Sequence, residues 1–232
     1  DLLSSVLNFK GINVELAGVL PTPAVAKLMQ LGDFSFGVMI SASHNPHHDN
    51  GIKMFGANGF KLESCIEAEI EEIILLEKTN QIAIGKELGI KSRLERGLIQ
   101  YADKILEKFQ SMEVKDEILI DCSNGAYSEI PERFLDNHPK LSFINDNPDG
   151  DNINFNCGAL EKETLIKEIK LKDYKYGVAF DGDGDRAIFV SSDYGAIQTE
   201  KIMFLFFKML KERYKNNILV TTEVCNLALK HN

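Results

Sequence analysis

Cysteine is scarce in this chain of 232 residues, and none of its four cysteines has another nearby. Cys65, Cys122, Cys157 and Cys225 form no CxxC pair, which argues against a structural zinc site. Each lies beside apolar or helical sequence, so buried free thiols in a reducing cytosol are expected, and with them a cytoplasmic location. Long apolar runs are also missing. The strongest, "IMFLFF" at 202–207, is bracketed by Lys201 and Lys208 and is too short to span a bilayer. No signal-peptide pattern opens the sequence as given. Basic residues are in deficit, with 26 Lys and Arg against 35 Asp and Glu and a net charge of −9. That balance disfavours a nucleic-acid or anionic-membrane surface. A phosphorylated ligand would need a local basic or metal-centred site. Solenoid repeats and low-complexity tracts are absent.

What is present reads as globular, with 44% hydrophobic and 26% charged residues. The length suits one large domain or two ordinary ones. Short β-branched runs predict strands at "NVELAG", "FGVMIS", "EILIDC", "LSFIND", "YGVAFD", "AIFVSS" and "NILVTT". Helices are predicted between several of them. One starts with Thr22 as N-cap and Pro23 in the first turn, and stops at Gly32. A second opens on a Ser64/Glu67 capping box, with Ile66, Ile70, Ile73 and Ile74 on one face. Others cover about 97–109, 161–169 and 199–214. This alternation predicts an α/β fold: successive three-layer α/β domains with mixed, mainly parallel sheets. The weakly periodic stretch 81–96 and the region near 193–195 mark boundaries, giving units 1–95, 96–192 and 193–232. Ligands of such folds bind beyond the carboxyl ends of strands. Two unusual loops sit there.

The first is "DGDGDR", 181–186. Asp181, Asp183 and Asp185 alternate with Gly182 and Gly184, which let the backbone curl until three carboxylates converge. Convergent carboxylates need a cation, and hard oxygen ligands favour Mg²⁺ or Ca²⁺. An EF-hand loop is excluded, because its sixth position would be Arg186, its twelfth Ser192, and its flanks read as strands. The plainer reading is a solvated acidic turn. Arg186 favours the metal reading, since a guanidinium beside a metal loop can hold further phosphate oxygens.

The second is "SASHNPHHDNGIK", 41–53. Pro46 keeps Asn45 extended, and Asp49-Asn50-Gly51 supplies another turn. Ser43 is placed to act as a nucleophile or phosphate carrier. His44 is a neighbour able to move a proton, and Lys53 can steer a phosphate or act as a base. His47 and His48 read as surface histidines and Ser41 as a hydrogen-bonding loop residue. A Ser-His-Asp hydrolase is disfavoured, because no GxSxG elbow surrounds Ser43. Together the loops suggest a phosphoserine set against a carboxylate-bound metal.

"SASHNP", "DNGIK" and "DGDGDR", with "PTPAVAKL", "DCSNGA" and "NINFNCGAL" in the same order, resemble the α-D-phosphohexomutase superfamily, and within it most resemble the bacterial phosphoglucosamine mutases. The resemblance implies a partial domain 1 over 1–95 with the phosphoserine loop, domain 2 over 96–192 with the metal loop, and the start of domain 3 over 193–232. It implies that Ser43 is the phosphoserine and that its phosphate, Asp181, Asp183 and Asp185 hold one Mg²⁺. Arg186 would lie beside that phosphate, and His44 and Lys53 would assist proton transfer or phosphate positioning. The implied reaction interconverts glucosamine 6-phosphate and glucosamine 1-phosphate through a bisphosphorylated sugar, which also serves as activator. It feeds UDP-N-acetylglucosamine and the cell wall. The expected partners are the phosphosugar substrate and a second copy in a homodimer, with no nucleic acid or membrane. Segments of the family pattern are missing: the start of domain 1, most of domain 3 with its sugar-reading loop, and domain 4. The sequence is therefore expected to be a fragment. "GAIQTEKIM" and "TTEVCNL" also depart from the family's usual wording. Phosphomannomutase/phosphoglucomutase activity and a non-catalytic sugar-phosphate-binding module are the alternatives.

Overall fold

The computed structural model describes residues 1–76, 87–109, 113–130, 135, 138–215 and 218–221. They form two compact units. The first holds Asp1–Glu113 and takes in Asp183–Asp185; the second holds Val114–Gly182 and Arg186–Asn232.

In the first unit α1 (Leu2–Phe9) leads into β1 (Val14–Leu16), which pairs in parallel with β4 (Lys91–Arg93). The segment 81–96, expected as a boundary, thus contributes a strand; its residues 81–86 lie outside the described residues. β2 (Phe36–Ser41) and β3 (Gly51–Gly56) form an antiparallel hairpin, Met39 opposite Lys53 and Ser41 opposite Gly51. β3 has no counterpart among the predicted strands, because Gly51 and Lys53 make its start read as loop. α2 (Thr22–Leu31) buries Ala24, Leu28 and Met29. It packs on β2 and on α4 (Gly97–Phe109). A Cβ at Gly37 of β2 would stand 2.8 Å from Met29 Sδ, so the glycine permits the close approach of helix and strand. By sequence α4 was counted with the second domain. Here its Gly97 lies against Leu28, and Leu98 and Ala102 are buried.

The helix starts differ from expectation. Pro21, not Thr22, is the N-cap of α2, and Thr22 is its first residue. Glu63, not Ser64, caps α3 (Ser64–Leu75), and no capping-box side-chain bond forms. α3 buries no residue: Ile66, Ile73 and Ile74 are exposed and Ile70 is half-buried.

In the second unit five strands run in the order β6-β5-β7-β8-β9. They are β5 (Ile118–Asp121), β6 (Leu141–Ile144), β7 (Tyr176–Phe180), β8 (Ala187–Ser191) and β9 (Gly195–Ala196). β6, β5 and β7 are parallel, whereas β8 pairs antiparallel with β7 and β9 antiparallel with β8. The five-stranded sheet is mixed, as expected, and over the three sheets parallel and antiparallel pairs are equal in number among the described residues. α5 (Lys162–Leu171) packs on β7 and β8. Leu165 and Ile169, fully buried with Leu119, Ala179 and Val190, form the core. Each of the leucine, isoleucine and valine side chains contributes about 1.5–3 kcal/mol through removal from water. α6 (Thr199–Tyr214) takes up the apolar run 202–207. The strand predicted at "NILVTT" does not appear over 218–221, and its ends lie outside the described residues.

Cys122 and Cys157 are buried free thiols as expected, whereas Cys65 is exposed. Cys225 lies outside the described residues. No described helix is long and apolar enough to cross a membrane.

Candidate functional site

The β2–β3 hairpin carries "SASHNPHHDN" as its connecting loop. Ser43 adopts φ 54°, a left-handed conformation that costs a non-glycine residue about 1–2 kcal/mol. Local bonds hold it there: the Ser43 N–H donates to Ser41 Oγ at 2.8 Å, and the Asn45 N–H donates to the Ala42 carbonyl at 3.0 Å. Ser41 is therefore the loop-supporting residue that the sequence suggested. His44 Nδ1 lies 3.5 Å from Ser43 Oγ. His47 and His48 are exposed, ring against ring. A shallow pocket of about 240 Å³ opens at the loop, lined by Ser41, Ser43, Asn45, Asp49, Asn50 and Lys53 among others.

The acidic loop follows β7. Gly184 takes φ 67°, and Asp181, Asp183 and Asp185 bring carboxylate oxygens within 4.8 Å of one another. Asp181 and Asp183 are only 1% and 2% exposed. Asp181 accepts the Arg186 N–H at 3.1 Å, and its second oxygen lies 3.6 Å from Arg186 Nε.

Lys53 reaches from β3 to this loop. Its Nζ donates to Asp183 Oδ2 at 2.5 Å and to Asp185 Oδ2 at 2.7 Å. Burial opposes the Lys53 charge, but the hydrogen bonds to the two aspartates outweigh it and hold its pKa above the ordinary lysine value. Burial likewise opposes the Asp183 charge. Hydrogen bonds from Lys53, Thr22 and Ser41 outweigh it and hold the carboxyl below the usual range. Asp183 thus stays ionised, and one of its oxygens, Oδ1, is buried with no hydrogen-bond partner. An ionised, buried, unpartnered oxygen beside two more carboxylates fits a hard divalent cation. Sequence reasoning brought Ser43, Lys53 and the aspartates forward, but read Thr22 only as a helix cap.

Within the second unit, the end of β7 and the turn after it are braced by neighbouring loops. The Ala126 N–H donates to the Gly182 carbonyl at 2.8 Å. Ser123 Oγ and the Ala159 N–H both donate to the Phe180 carbonyl. "DCSNGA" and "NCGAL" are thereby tied to the strand and loop that carry the aspartates.

Two family models match. Residues 1–81 match domain I of phosphoglucomutase/phosphomannomutase, and residues 99–195 match domain II, both described as alpha/beta/alpha. The chain belongs to the phosphoglucomutase/phosphomannomutase family. It is 41% identical over 236 residues to the phosphoglucosamine mutase of Caldicellulosiruptor saccharolyticus, covering 98% of this chain and 52% of that protein. It is 39% identical to the phosphoglucosamine mutase of an Exiguobacterium species, covering 98% and 51%. The chain thus spans about half the length of the curated relatives it matches. Among solved structures, a phosphoglucomutase/phosphomannomutase family protein from Burkholderia thailandensis shares the fold at TM-score 0.70 and 23% identity, over 91% of this chain and 47% of that one. Aspergillus fumigatus N-acetylphosphoglucosamine mutase, solved with GlcNAc-6P and magnesium, matches at TM-score 0.54 and 18% identity, over 93% and 53%.

Proposed function

We propose that the complete protein is a cytoplasmic, Mg²⁺-dependent phosphoglucosamine mutase, interconverting glucosamine 6-phosphate and glucosamine 1-phosphate through a phosphoserine at Ser43 and a bisphosphorylated sugar. The observation that carries this reading is the bridge from Lys53 to Asp183 and Asp185, because it sets the hairpin that bears Ser43 against two of the three aspartates within one compact unit. The choice of the amino sugar rests on the similarity to phosphoglucosamine mutases. The domain division 1–95, 96–192 and 193–232 is part of the same proposal.

In this reading Ser43 Oγ carries the phosphoryl group and passes it to a free sugar hydroxyl, and the serine oxygen leaves as the P–O bond breaks. The sugar bisphosphate returns its other phosphoryl group to Ser43. His44, beside Ser43 Oγ, takes or returns the hydroxyl proton. Lys53 balances the carboxylate charge and positions phosphate oxygens. Arg186, held on Asp181, offers its guanidinium to the same phosphate. Asp181, Asp183 and Asp185 would hold Mg²⁺, which when bound neutralises charge on the transferring group.

The test uses the complete gene product with Mg²⁺ and a trace of sugar bisphosphate. Turnover of glucosamine 6-phosphate, mannose 6-phosphate and glucose 6-phosphate is compared, with Ser43→Ala as control. A preference for the amino sugar is expected, along with phosphoserine at Ser43 by peptide mass spectrometry and loss of turnover by at least about 10³-fold in the control. Preference for mannose or glucose phosphate would overturn the substrate and keep the chemistry. No turnover and no phosphoserine would leave a sugar-phosphate-binding module.

A further inference from the structure

Thr22 opens α2, yet its side chain makes no cap bond. It grips Asp183 instead, at two points. Its backbone N–H donates to the Asp183 carbonyl at 2.8 Å, and its Oγ1 donates to Asp183 Oδ2 at 2.9 Å. Oγ1 also lies 3.1 Å from Met39 Sδ. A hydroxyl has one proton to give, and an ionised carboxylate is a far stronger acceptor than a thioether. The proton therefore goes to Asp183, and the Met39 sulfur packs against the hydroxyl.

Asp183 Oδ2 receives both the Thr22 hydroxyl and the Lys53 ammonium, so its acceptor capacity is directed at the protein. Oδ1 is buried, and no protein donor reaches it. Ser41 also hydrogen-bonds this carboxylate, and the grip of Thr22 and Lys53 on Oδ2 means that it cannot rotate without breaking both of their bonds. Its other oxygen keeps one direction, and that oxygen is the one left to a cation.

We propose that Thr22 is a positioning residue for the cation site: it fixes the rotation of Asp183 so that Oδ1 is presented to the metal. The inference rests on the reading of the acidic loop as a divalent-cation site. Partners of this kind, which orient a ligand without touching the metal, typically contribute about 10–100-fold to metal affinity.

The experiment measures Mn²⁺ binding to the complete protein by electron paramagnetic resonance, with no substrate and no assay of activity. Thr22→Val keeps the branched shape and the backbone N–H bond but removes the hydroxyl. Its Mn²⁺ affinity is expected to fall by about tenfold or more, measured where the metal-free variant is still folded by its thermal melt. Thr22→Ser restores the hydroxyl and is expected to bind within about threefold of the parent. If Thr22→Val does not fold, Thr22→Ala is measured in the same way with Thr22→Ser as its reference. Parent-like binding in the hydroxyl-free variant, with binding lost in Asp183→Asn, would overturn the role of Thr22 and leave the cation site standing. Parent-like binding in Asp183→Asn as well would overturn the cation site itself.

Discussion

Asp121, the first residue of "DCSNGA", is fully buried. Its Oδ1 accepts the Ser123 N–H at 2.9 Å and Asn145 Nδ2 at 3.0 Å, and its Oδ2 accepts the Gly158 N–H at 2.8 Å. One carboxylate thus ties the end of β5 to two distant loops. Burial raises its pKa, and the three donors pull the value back without restoring it. In the unfolded chain the group ionises near its ordinary value of 3.8. Below that pH both states are protonated and burial of charge costs nothing. As pH rises from 3.8 through the raised folded value, the unfolded state loses its proton first, so this group's contribution to stability falls. Asp121→Asn keeps an acceptor for two donors but turns an NH₂ toward a third N–H. It is expected to lower stability by about 1–3 kcal/mol. Because asparagine does not titrate, the deficit should be largest at acidic pH and shrink as pH rises through that window. Urea unfolding of parent and variant at several pH values measures this. A deficit that grows with pH would reverse the assigned direction of the shift.

At the scale of elements, the acidic loop depends on a glycine outside it. A Cβ at Gly125 would stand 2.3 Å from the Gly182 carbonyl oxygen and 2.7 Å from Gly182 Cα, both backbone atoms. Nothing flexible can yield there. Gly125→Ala must push the two turns apart and stretch the bond from the Ala126 N–H to the Gly182 carbonyl. A loss of about 1–3 kcal/mol in stability is expected, as in overpacked sites. Mn²⁺ affinity should fall with it, since Gly182 lies between two of the aspartates. A thermal melt and a Mn²⁺ titration check the two effects, and unchanged values in both would show that the turns separate without cost. This dependence illustrates what could be read from the sequence. The Asp-Gly alternation pointed to convergent carboxylates, because the glycines let the backbone curl, although a solvated acidic turn was the plainer reading. The turn that braces them sits some way off in sequence, and nothing in "DCSNGA" alone says what its glycine touches. The caps were misread for a similar reason. Thr22 and Ser64 suit an N-cap by type, but the chain enters each helix one residue earlier, at Pro21 and Glu63. The hydroxyl of Thr22 was then free to serve a residue that only folding brings near.

For the molecule as a whole, strand–helix alternation was legible because buried strands and amphipathic helices impose different periods. What escaped were the short or polar strands, β3, β4 and β9, whose pairing depends on neighbours rather than on their own apolar content. The thiols offer a test of how the second unit holds together. Burial raises both Cys122 and Cys157, with nearby carboxylate charges adding to the effect, and Cys157 reaches about 12. The reactive species is the thiolate, so neither thiol should be alkylated in the folded unit at pH 8, whereas exposed Cys65 is open to reagent. In the native protein, peptide-resolved labelling with iodoacetamide should modify Cys122 and Cys157 at least about a thousandfold more slowly than Cys65, since a packed unit opens rarely. Cys122 follows β5, whereas Cys157 sits in the loop that Asp121 and Asn124 tie down. If the five-stranded sheet and that loop open as one cooperative unit, the two thiols should gain reactivity together as urea is added. Early labelling of Cys157 alone would mean that the loop releases first, and that the Asp121 bonds are weaker than their geometry indicates. Labelling of both at the rate of Cys65 in the absence of urea would contradict the packed core around Leu119, Leu165 and Val190.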